Sequence, residues 1–268
     1  MIYNAKNKIA KIEDYTINYV EFGKGKKNLI LIPGGGDGLR TVKGMALPLA
    51  FMYKKFSKEY KVYIPSRRNE IKEGFSIKDM GDEVAKLMDQ LGIQNADIIG
   101  VSQGGMIAQQ IAINHPEKVN KLVLVVTAPR TNDLIKEAVG GWIKSAEKGE
   151  YKPVFVDTAE RTYTEKKLKK YRKMYSILSK LTKPKSFERF IIQAKAILGH
   201  NAYDELYKIK AETLIIGAEK DRIVGVDASK ELNERIENSQ LYIYEEYSHG
   251  VYEEAKDFND RILEFLNK

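Results

Sequence analysis

The chain of 268 residues contains no cysteine and only three histidines. Disulfide bonds and thiolate chemistry are therefore excluded, and few imidazoles are available for a metal site. No apolar run approaches the roughly 18 residues of a membrane span. The opening segment MIYNAKNKIAKIEDY also lacks the continuous apolar stretch of a secretory signal peptide. These absences predict a cytoplasmic protein without a membrane span.

Positive charge is concentrated in the middle of the chain. The formal net charge is +8, and residues 130–210 hold 19 Lys and Arg against 10 Asp and Glu. A basic surface can attract anionic substrates, membranes or nucleic acid. No nucleic-acid motif accompanies the densest run, KKLKKYRKMY (166–175), so no nucleic-acid partner is expected. A solvated helical surface is the simpler interpretation, and association with a membrane or nucleic acid stays as the alternative.

Apolar β-branched runs alternate with amphipathic helical patterns through most of the chain. This alternation predicts an α/β fold, with a mostly parallel sheet flanked by helices on both faces. The first two runs, joined by a short loop, are expected to pair as an antiparallel edge. The predicted strands are 15–22, 28–34, 60–65, 96–102, 120–128, 212–218 and 240–246, and the predicted helices are 76–92, 104–119, 226–238 and 253–268.

The alternation stops between residues 130 and 210, where the pattern is helical and rich in Lys and Tyr. A helical insertion between two strands of one sheet explains this break. We therefore predict a core of residues 1–129 and 211–268 and a helical cap of residues 130–210. The cap would lie over the carboxyl ends of the strands, where open α/β sheets bind ligands.

The segment ADIIGVSQGGMI (96–107) carries the strongest chemical signal. A buried strand pattern leads into GVSQG, which matches G-x-S-x-G, and a helical pattern follows. In such a turn the serine backbone is strained and the glycines avoid clashes, so the Ser102 hydroxyl projects above the sheet. The helix N-terminus favours negative charge beside it. The alternative is a glycine-rich turn whose serine only caps a helix, and the flanking strand and helix disfavour it.

A serine hydroxyl needs a base to take its proton, and the base needs an orienting carboxylate. The segment ETLIIGAEKDRIVG places Asp221 just past a strand end, and QLYIYEEYSHG places His249 between the last strand and the final helix. The chain order Ser, Asp, His is the one expected for this architecture. Glu219 and Asp227 are alternative acids near Asp221.

The other two histidines are interpreted as structural. His115 precedes a proline at a helix end, and His200 follows the last helix of residues 130–210, with a place in the pocket lining left open for it.

A second glycine-rich turn, in LILIPGGGDG (29–38), also follows a buried strand. Acyl transfer requires N–H donors aimed at the developing oxyanion. We expect the backbone N–H groups of Gly35 and Gln103 to form this oxyanion hole. The run is not a phosphate loop, because no G-K-[ST] follows it.

Together these motifs resemble the α/β-hydrolase fold family, in its cap-bearing esterase, lipase and peptidase branch. The resemblance implies that Ser102 is the nucleophile, His249 the general base and acid, and Asp221 its partner. It covers nearly the whole chain through the turn at 33–36, GVSQGG (100–105), HPEKVNKLVLV (115–125), TLIIGAEKDRIV (213–224) and SHG (248–250).

Two departures from the family pattern lie beside the expected pocket. Pro33-Gly34 stands where relatives usually have His-Gly, which removes a polar group near the oxyanion turn. After the 60–65 strand, SRRNEIKEG replaces the usual acidic residue and glycine-rich loop, and it carries Arg67 and Arg68.

The expected function is that of a serine hydrolase acting on a carboxylic ester of a small or medium acyl compound through an acyl-enzyme. No metal or organic cofactor is required. An aminopeptidase and a carbon–carbon bond hydrolase are alternatives on the same three residues, and a non-catalytic ligand-binding homologue is a third. The surplus positive charge suggests an anionic substrate steered by Arg67, Arg68 or the lysines of the cap.

Overall fold

One sheet organises the computed structural model, which describes residues 2–268. Within these residues the sheet has eight strands in the spatial order β1-β2-β4-β3-β5-β6-β7-β8. The strands are β1 (Lys6–Ile12), β2 (Tyr15–Phe22), β3 (Lys27–Ile32), β4 (Tyr60–Pro65), β5 (Ala96–Val101), β6 (Val119–Val125), β7 (Glu212–Ala218) and β8 (Ser239–Tyr244).

Six neighbouring strands are parallel to one another, in the spatial order β4-β3-β5-β6-β7-β8. β2 is antiparallel to both of its neighbours, β1 and β4. Central strands such as β5 are buried along their whole length because helices cover both faces of the sheet. The prediction of a mostly parallel α/β sheet is confirmed.

Helices fill the connections between strands. They are α1 (Ala46–Met52), α2 (Ile77–Gln90), α3 (Gln103–Asn114), α4 (Asp133–Glu147), α5 (Tyr151–Thr162), α6 (Glu165–Tyr171), α7 (Tyr175–Leu181), α8 (Glu188–Leu198), α9 (Val226–Arg235), α10 (Val251–Glu254) and α11 (Phe258–Leu266). One apolar cluster packs α2 and α3 on one face of the sheet, and a second packs α1 and α11 on the other. Residues 2–268 contain no helix that combines a bilayer-spanning length with an apolar composition.

The expected edge pair was wrong. The strand at 15–22 (β2) does not pair with the strand that follows it in sequence, because β4 lies between β2 and β3. Its antiparallel partner at the edge is β1, seven residues of sequence KNKIAKI that the sequence analysis left unassigned. β1 is an edge strand with lysines on exposed positions, so it lacks the continuous apolar run that marked the buried strands.

Between β6 and β7 the chain forms the five helices α4–α8, and we call residues 130–210 the insertion. The two ends of the insertion meet: Arg130 and Asn201 form an isolated antiparallel bridge, and the Ala202 N–H donates to the Pro129 carbonyl at 2.8 Å. The insertion therefore leaves and rejoins the core at one point. The division into core and cap at 129/130 and 210/211 stays a prediction, and this neck supports it.

Candidate active site

The backbone at Ser102 is strained, as the sequence motif predicts. Its φ of 54° and ψ of −119° lie where residues other than glycine are rare. The turn is fixed by neighbouring strand ends: the Ser102 N–H donates to the Val125 carbonyl at 2.9 Å, and the Thr127 hydroxyl donates to the Ser102 carbonyl at 2.7 Å. The surrounding hydrogen bonds thus hold a conformation that the residue would not adopt alone.

Three glycines allow the turn to be this tight. A Cβ at Gly100 would lie 2.4 Å from the Gly104 carbonyl oxygen, and one at Gly104 would lie 2.0 Å from the Ile32 carbonyl oxygen. A Cβ at Gly105 would lie 2.5 Å from the Thr127 Cβ. Any larger residue would push α3 away from the strand ends, so the glycines of GVSQGG are required by close backbone approach.

The predicted base and acid are joined. Nδ1 of His249 lies 2.8 Å from Oδ2 of Asp221, and both side chains are buried. The other Asp221 oxygen, Oδ1, accepts from the N–H groups of Ile223 and Val224 at 2.8 and 3.1 Å. Burial alone would raise the pKa of Asp221, but His249 and the two N–H donors outweigh it and hold this pKa below its usual value. Asp221 is therefore an ionised, fixed partner for the imidazole.

Neighbours of His249 anchor its loop to the insertion. The Ser248 hydroxyl lies 2.8 Å from both the Arg161 and the Lys220 carbonyl oxygens, and the Gly250 N–H donates to the Thr162 carbonyl at 2.7 Å. A Cβ at Gly250 would lie 2.9 Å from that same Thr162 oxygen. The sequence SHG therefore sets the imidazole between the core and the end of α5.

Ser102 and His249 line one cavity of about 630 Å³. Among the described residues, the Ser102 hydroxyl is not hydrogen-bonded to the imidazole. The insertion supplies one large part of the cavity wall, and the core supplies the rest, including the loop before α1 and α1 itself. The apolar wall residues include Met45, Leu49, Met52, Ile135, Val139, Trp142, Val154, Phe155, Leu178, Phe190 and Ile197.

The two expected oxyanion donors each begin a helix. Gln103 is the first residue of α3, and Gly35 is the first residue of a short 3₁₀ helix, Gly35–Gly38. The N–H group of a first helical residue has no acceptor within its own helix. Both residues line the cavity beside Ser102, and a Cβ at Gly34 would lie 3.3 Å from the Ser102 Cβ. The geometry is thus compatible with their predicted role.

A buried guanidinium bridges the loops that carry these two donors. Nη2 of Arg67 donates to the Pro33 carbonyl at 2.6 Å and to Oε1 of Gln103 at 3.0 Å. Burial lowers the pKa of Arg67 to about 10, against the opposing effect of Asp37, so the side chain stays charged at neutral pH. A charged side chain from a third loop therefore lies beside the turn where Pro33 replaces a polar residue.

Helix α8 of the insertion completes this buried cluster. Nη2 of Arg189 donates to Oδ2 of Asp37 at 2.6 Å, and the same oxygen accepts the Arg67 backbone N–H at 3.2 Å. Nε2 of Gln103 donates to the Gln193 carbonyl at 3.0 Å. Asp37, Arg189 and Gln193 could not be predicted from the sequence, because Arg189 lies 152 residues from Asp37 and no local motif connects them.

Several predicted residues lie outside the cavity. Arg67 and Arg68 do not line it: Arg68 pairs with Glu83 and stacks on the Tyr15 ring. His115 pairs with Asp82 at 2.7 Å. His200 lies at the neck of the insertion, where burial lowers its pKa to about 4, and it also does not line this cavity.

The sequence matches a family model along most of its length. The model of the alpha/beta hydrolase fold matches residues 27–256. The chain belongs to the alpha/beta hydrolase fold family. The matched range contains both glycine-rich turns, the whole insertion and the Asp221–His249 pair.

Two curated relatives of this chain are named as hydrolases. A 2-hydroxy-6-oxononadienedioate/2-hydroxy-6-oxononatrienedioate hydrolase of Pseudomonas putida is 25% identical over 94% of this chain and 92% of its own length. A 2-hydroxymuconate semialdehyde hydrolase, also of Pseudomonas putida, is 31% identical over 67% of this chain and 65% of its own.

Solved structures extend the match to the whole fold. An alpha/beta hydrolase from a Medee basin deep-sea metagenome library superposes with a TM-score of 0.86 at 23% identity, covering 97% of this chain and 98% of the other. The enol-lactonase of Burkholderia xenovorans superposes with a TM-score of 0.84 at 18% identity, covering 97% and 100%.

Proposed function

We propose that this protein is a serine hydrolase that cleaves a carboxylic ester of a small or medium acyl compound. The observation that carries the proposal is the buried Asp221–His249 pair, which opens onto the same cavity as Ser102 on its strained turn. An imidazole oriented by a carboxylate is the base that a serine nucleophile needs.

In the first half of the reaction, Oγ of Ser102 attacks the ester carbonyl carbon while Nε2 of His249 takes the hydroxyl proton. Asp221 accepts the Nδ1–H hydrogen bond, which fixes the tautomer and stabilises the imidazolium. The tetrahedral intermediate collapses when the bond to the alcohol oxygen breaks, and His249 gives its proton to that oxygen. The alcohol leaves and the acyl group stays on Ser102.

In the second half, water attacks the acyl-enzyme and His249 takes its proton. The bond to Oγ of Ser102 then breaks, the proton returns to that oxygen and the carboxylic acid leaves. In both halves the negative carbonyl oxygen is held by the N–H groups of Gly35 and Gln103.

Arg67 acts on this oxyanion hole as a positioning residue. It lies behind the cavity wall and ties the Pro33 loop to the Gln103 side chain, which keeps the two donor N–H groups at a fixed separation. The cluster of Arg67, Arg189 and Asp37 also contains two guanidinium groups and one carboxylate, and Asp37 binds the guanidinium of Arg189 and the backbone N–H of Arg67. Its net positive charge lies next to the position where the oxyanion forms.

The cavity wall favours an ester over a peptide. An aminopeptidase would need a carboxylate free to bind the substrate amine, but each of the two carboxylates at this wall already pairs with a basic side chain. Asp37 binds Arg189, and Glu253 accepts from Lys167 at 2.8 Å and from the Tyr163 hydroxyl at 3.0 Å. A mostly apolar wall suits an acyl chain.

Carbon–carbon bond hydrolysis on the same residues is the second candidate. The curated relatives named above are hydrolases of oxo-dienoate compounds, and this supports it. Such a substrate carries a carboxylate, whereas the buried Arg67 is turned away from the cavity and Arg40 at the wall is exposed to solvent. We therefore rank the ester first.

The proposal is tested with chromogenic esters graded by acyl length, assayed beside a 2-hydroxy-6-oxo-dienoate. We expect ester turnover by the wild type and a loss of at least about a thousandfold in kcat for Ser102→Ala, because only substrate binding and the oxyanion hole would remain. Faster turnover of the dienoate than of every ester would favour the second candidate.

A fluorophosphonate probe separates an enzyme from a ligand-binding homologue. Stoichiometric labelling at Ser102 supports a hydrolase, whereas an unlabelled, inactive wild type supports a binder. Ser102→Ala is the labelling control.

A further inference from the structure

The surface of α6 and α7 carries an unusual density of free lysines. Residues 164–187 contain nine Lys and Arg and a single acidic residue, Glu165. Seven of the lysines between 166 and 185 are exposed, and none of these seven has a carboxylate within 4 Å in the part of the chain that the structure describes. We call this surface, from Lys166 to Lys185, the lysine face.

Three aliphatic side chains project from the middle of the lysine face. Met174, Ile177 and Leu181 are 47%, 61% and 77% exposed. Their spacing of three and four residues places Ile177 and Leu181 on one side of α7, with Met174 one turn before them. A row of exposed apolar side chains rimmed by basic residues is the kind of patch that marks a contact with a protein or a membrane.

The lysine face adjoins the active-site cavity. On the inner side of α7, Leu178 and Thr182 line the cavity wall. Across the cavity, α1 lines it with Leu49 and Met52 and exposes Phe51 to solvent at 65%. A partner on the lysine face would thus lie beside the cavity that holds Ser102.

We propose that the lysine face binds the surface of an anionic lipid bilayer, with Met174, Ile177 and Leu181 entering the boundary between headgroups and acyl chains. Basic side chains around an apolar row are the combination that such surfaces attract. The protein would lie on the membrane without crossing it, with its cavity open to an amphiphilic ester.

Two other occupants fit the lysine face less well. A second copy of the chain would bring two strongly positive surfaces together, and like charges repel. The phosphates of a nucleic acid would pair with the lysines, but nothing in it would cover the aliphatic row. The aromatic side chains here are also not free to stack on bases, since Tyr171 is half-buried and Tyr175 is buried.

The test is vesicle co-sedimentation with Ser102→Ala, so that lipid hydrolysis cannot interfere and the result does not depend on the proposed catalysis. We expect binding to phosphatidylcholine vesicles containing phosphatidylglycerol, weak binding to pure phosphatidylcholine, and release as ionic strength rises. Replacing Lys170, Lys173 and Lys180 with Gln should weaken binding roughly fivefold per lysine, or on the order of a hundredfold together.

Matched variants show whether vesicle binding depends on the lysine face or on exposed lysines and apolar side chains in general. Lys24, Lys26 and Lys210 are exposed, unpaired lysines before β3 and β7, at the opposite rim of the sheet, and replacing them with Gln should leave vesicle binding unchanged. Replacing Ile177 and Leu181 with Gln should weaken binding roughly tenfold or more. Tyr207→Gln, at a side chain with 62% exposure elsewhere, should not weaken it.

Several outcomes would overturn the proposal. They are failure of the Ser102→Ala protein to bind anionic vesicles at low ionic strength, equal losses in the two lysine triples, and tight binding to duplex DNA with no binding to vesicles. The same surface substitutions are also made in the chain that keeps Ser102. These variants should all turn over a short water-soluble ester at the same rate, because none of the substituted residues lines the cavity. An inactive wild type that still binds vesicles would reject the proposed hydrolase and keep the membrane site.

Discussion

The two sides of the cavity are built on different principles. The core side presents Ser102, His249 and the two glycine-rich turns from loops at strand ends, and hydrogen bonds hold the Ser102 backbone and the His249 imidazole there. The insertion side presents mostly apolar side chains from several helices. On the proposed function, the strand ends of the sheet position the reacting groups, and the insertion shapes the space that a substrate would occupy.

The strongest test of the core side is Asp221→Asn. The amide cannot stabilise the imidazolium, and it favours the wrong tautomer of His249, so we expect kcat to fall on the order of ten-thousandfold. Glu219→Gln is the control, because Glu219 is exposed two residues away and was one of the two alternative acids, with Asp227. Near-normal activity in Asp221→Asn together with a loss in Glu219→Gln would assign the role of the acid that orients His249 to Glu219 instead. Ester kinetics under single-turnover conditions measure both.

A smaller effect is expected where the two sides meet, at Arg67. Arg67→Met removes the bridge between the Pro33 loop and Gln103, and we expect kcat to fall roughly 10- to 100-fold while KM changes little, because the loss falls on the transition state. Affinity for a trifluoromethyl ketone, which forms a tetrahedral adduct on serine, should fall in proportion to kcat/KM.

Two further variants separate positioning by Arg67 from a loss of folding. Arg67→Lys keeps the charge but has no planar fork to bridge two acceptors, so it should recover only part of the rate. Gln103→Met keeps the backbone N–H and removes the side-chain contact, and its effect should not add to that of Arg67→Met because both break the same bridge. Additive losses, or an unchanged ketone affinity, would contradict the positioning role.

The smallest effect on rate is expected on the insertion side, with Ile197→Ala. A Cβ at Gly35 would lie 3.6 Å from the Ile197 Cδ1, so this side chain closes the cavity over the oxyanion turn. Its truncation should shift the ratio of kcat/KM for longer over shorter acyl esters by roughly tenfold, with little change in kcat for the best substrate. Leu198→Ala, on the same helix but outside the cavity wall, should leave the ratio unchanged.

The core could be predicted from the sequence because its constraints are local. Buried strands read as continuous Val, Ile and Leu runs, and close backbone approach at Gly100, Gly104 and Gly105 leaves a glycine pattern that no other residue satisfies. The order of Ser102, Asp221 and His249 follows from the order of the strand ends that carry them.

What could not be predicted depends on contacts between distant segments. Arg67 was one of the side chains expected to steer a substrate, but its contacts with Pro33 and Gln103 place it behind the cavity wall, and nothing in SRRNEIKEG indicates those contacts. Asp37 and Arg189 belong to different segments and meet only in the folded chain. β1 was missed for a related reason, since an edge strand is stabilised by pairing with β2 more than by its own composition.

The narrow neck at Arg130 and Asn201 has an evolutionary consequence. A segment that departs from and returns to one place can be exchanged for another of different length while the strand order of the sheet is kept. On the proposed function, exchanging residues 130–210 as a unit would change which substrate fits the cavity. The Asp37–Arg189 pair sets a condition on such transplants. An incoming segment must bring its own cation to that buried carboxylate, or the recipient must lose the acid first.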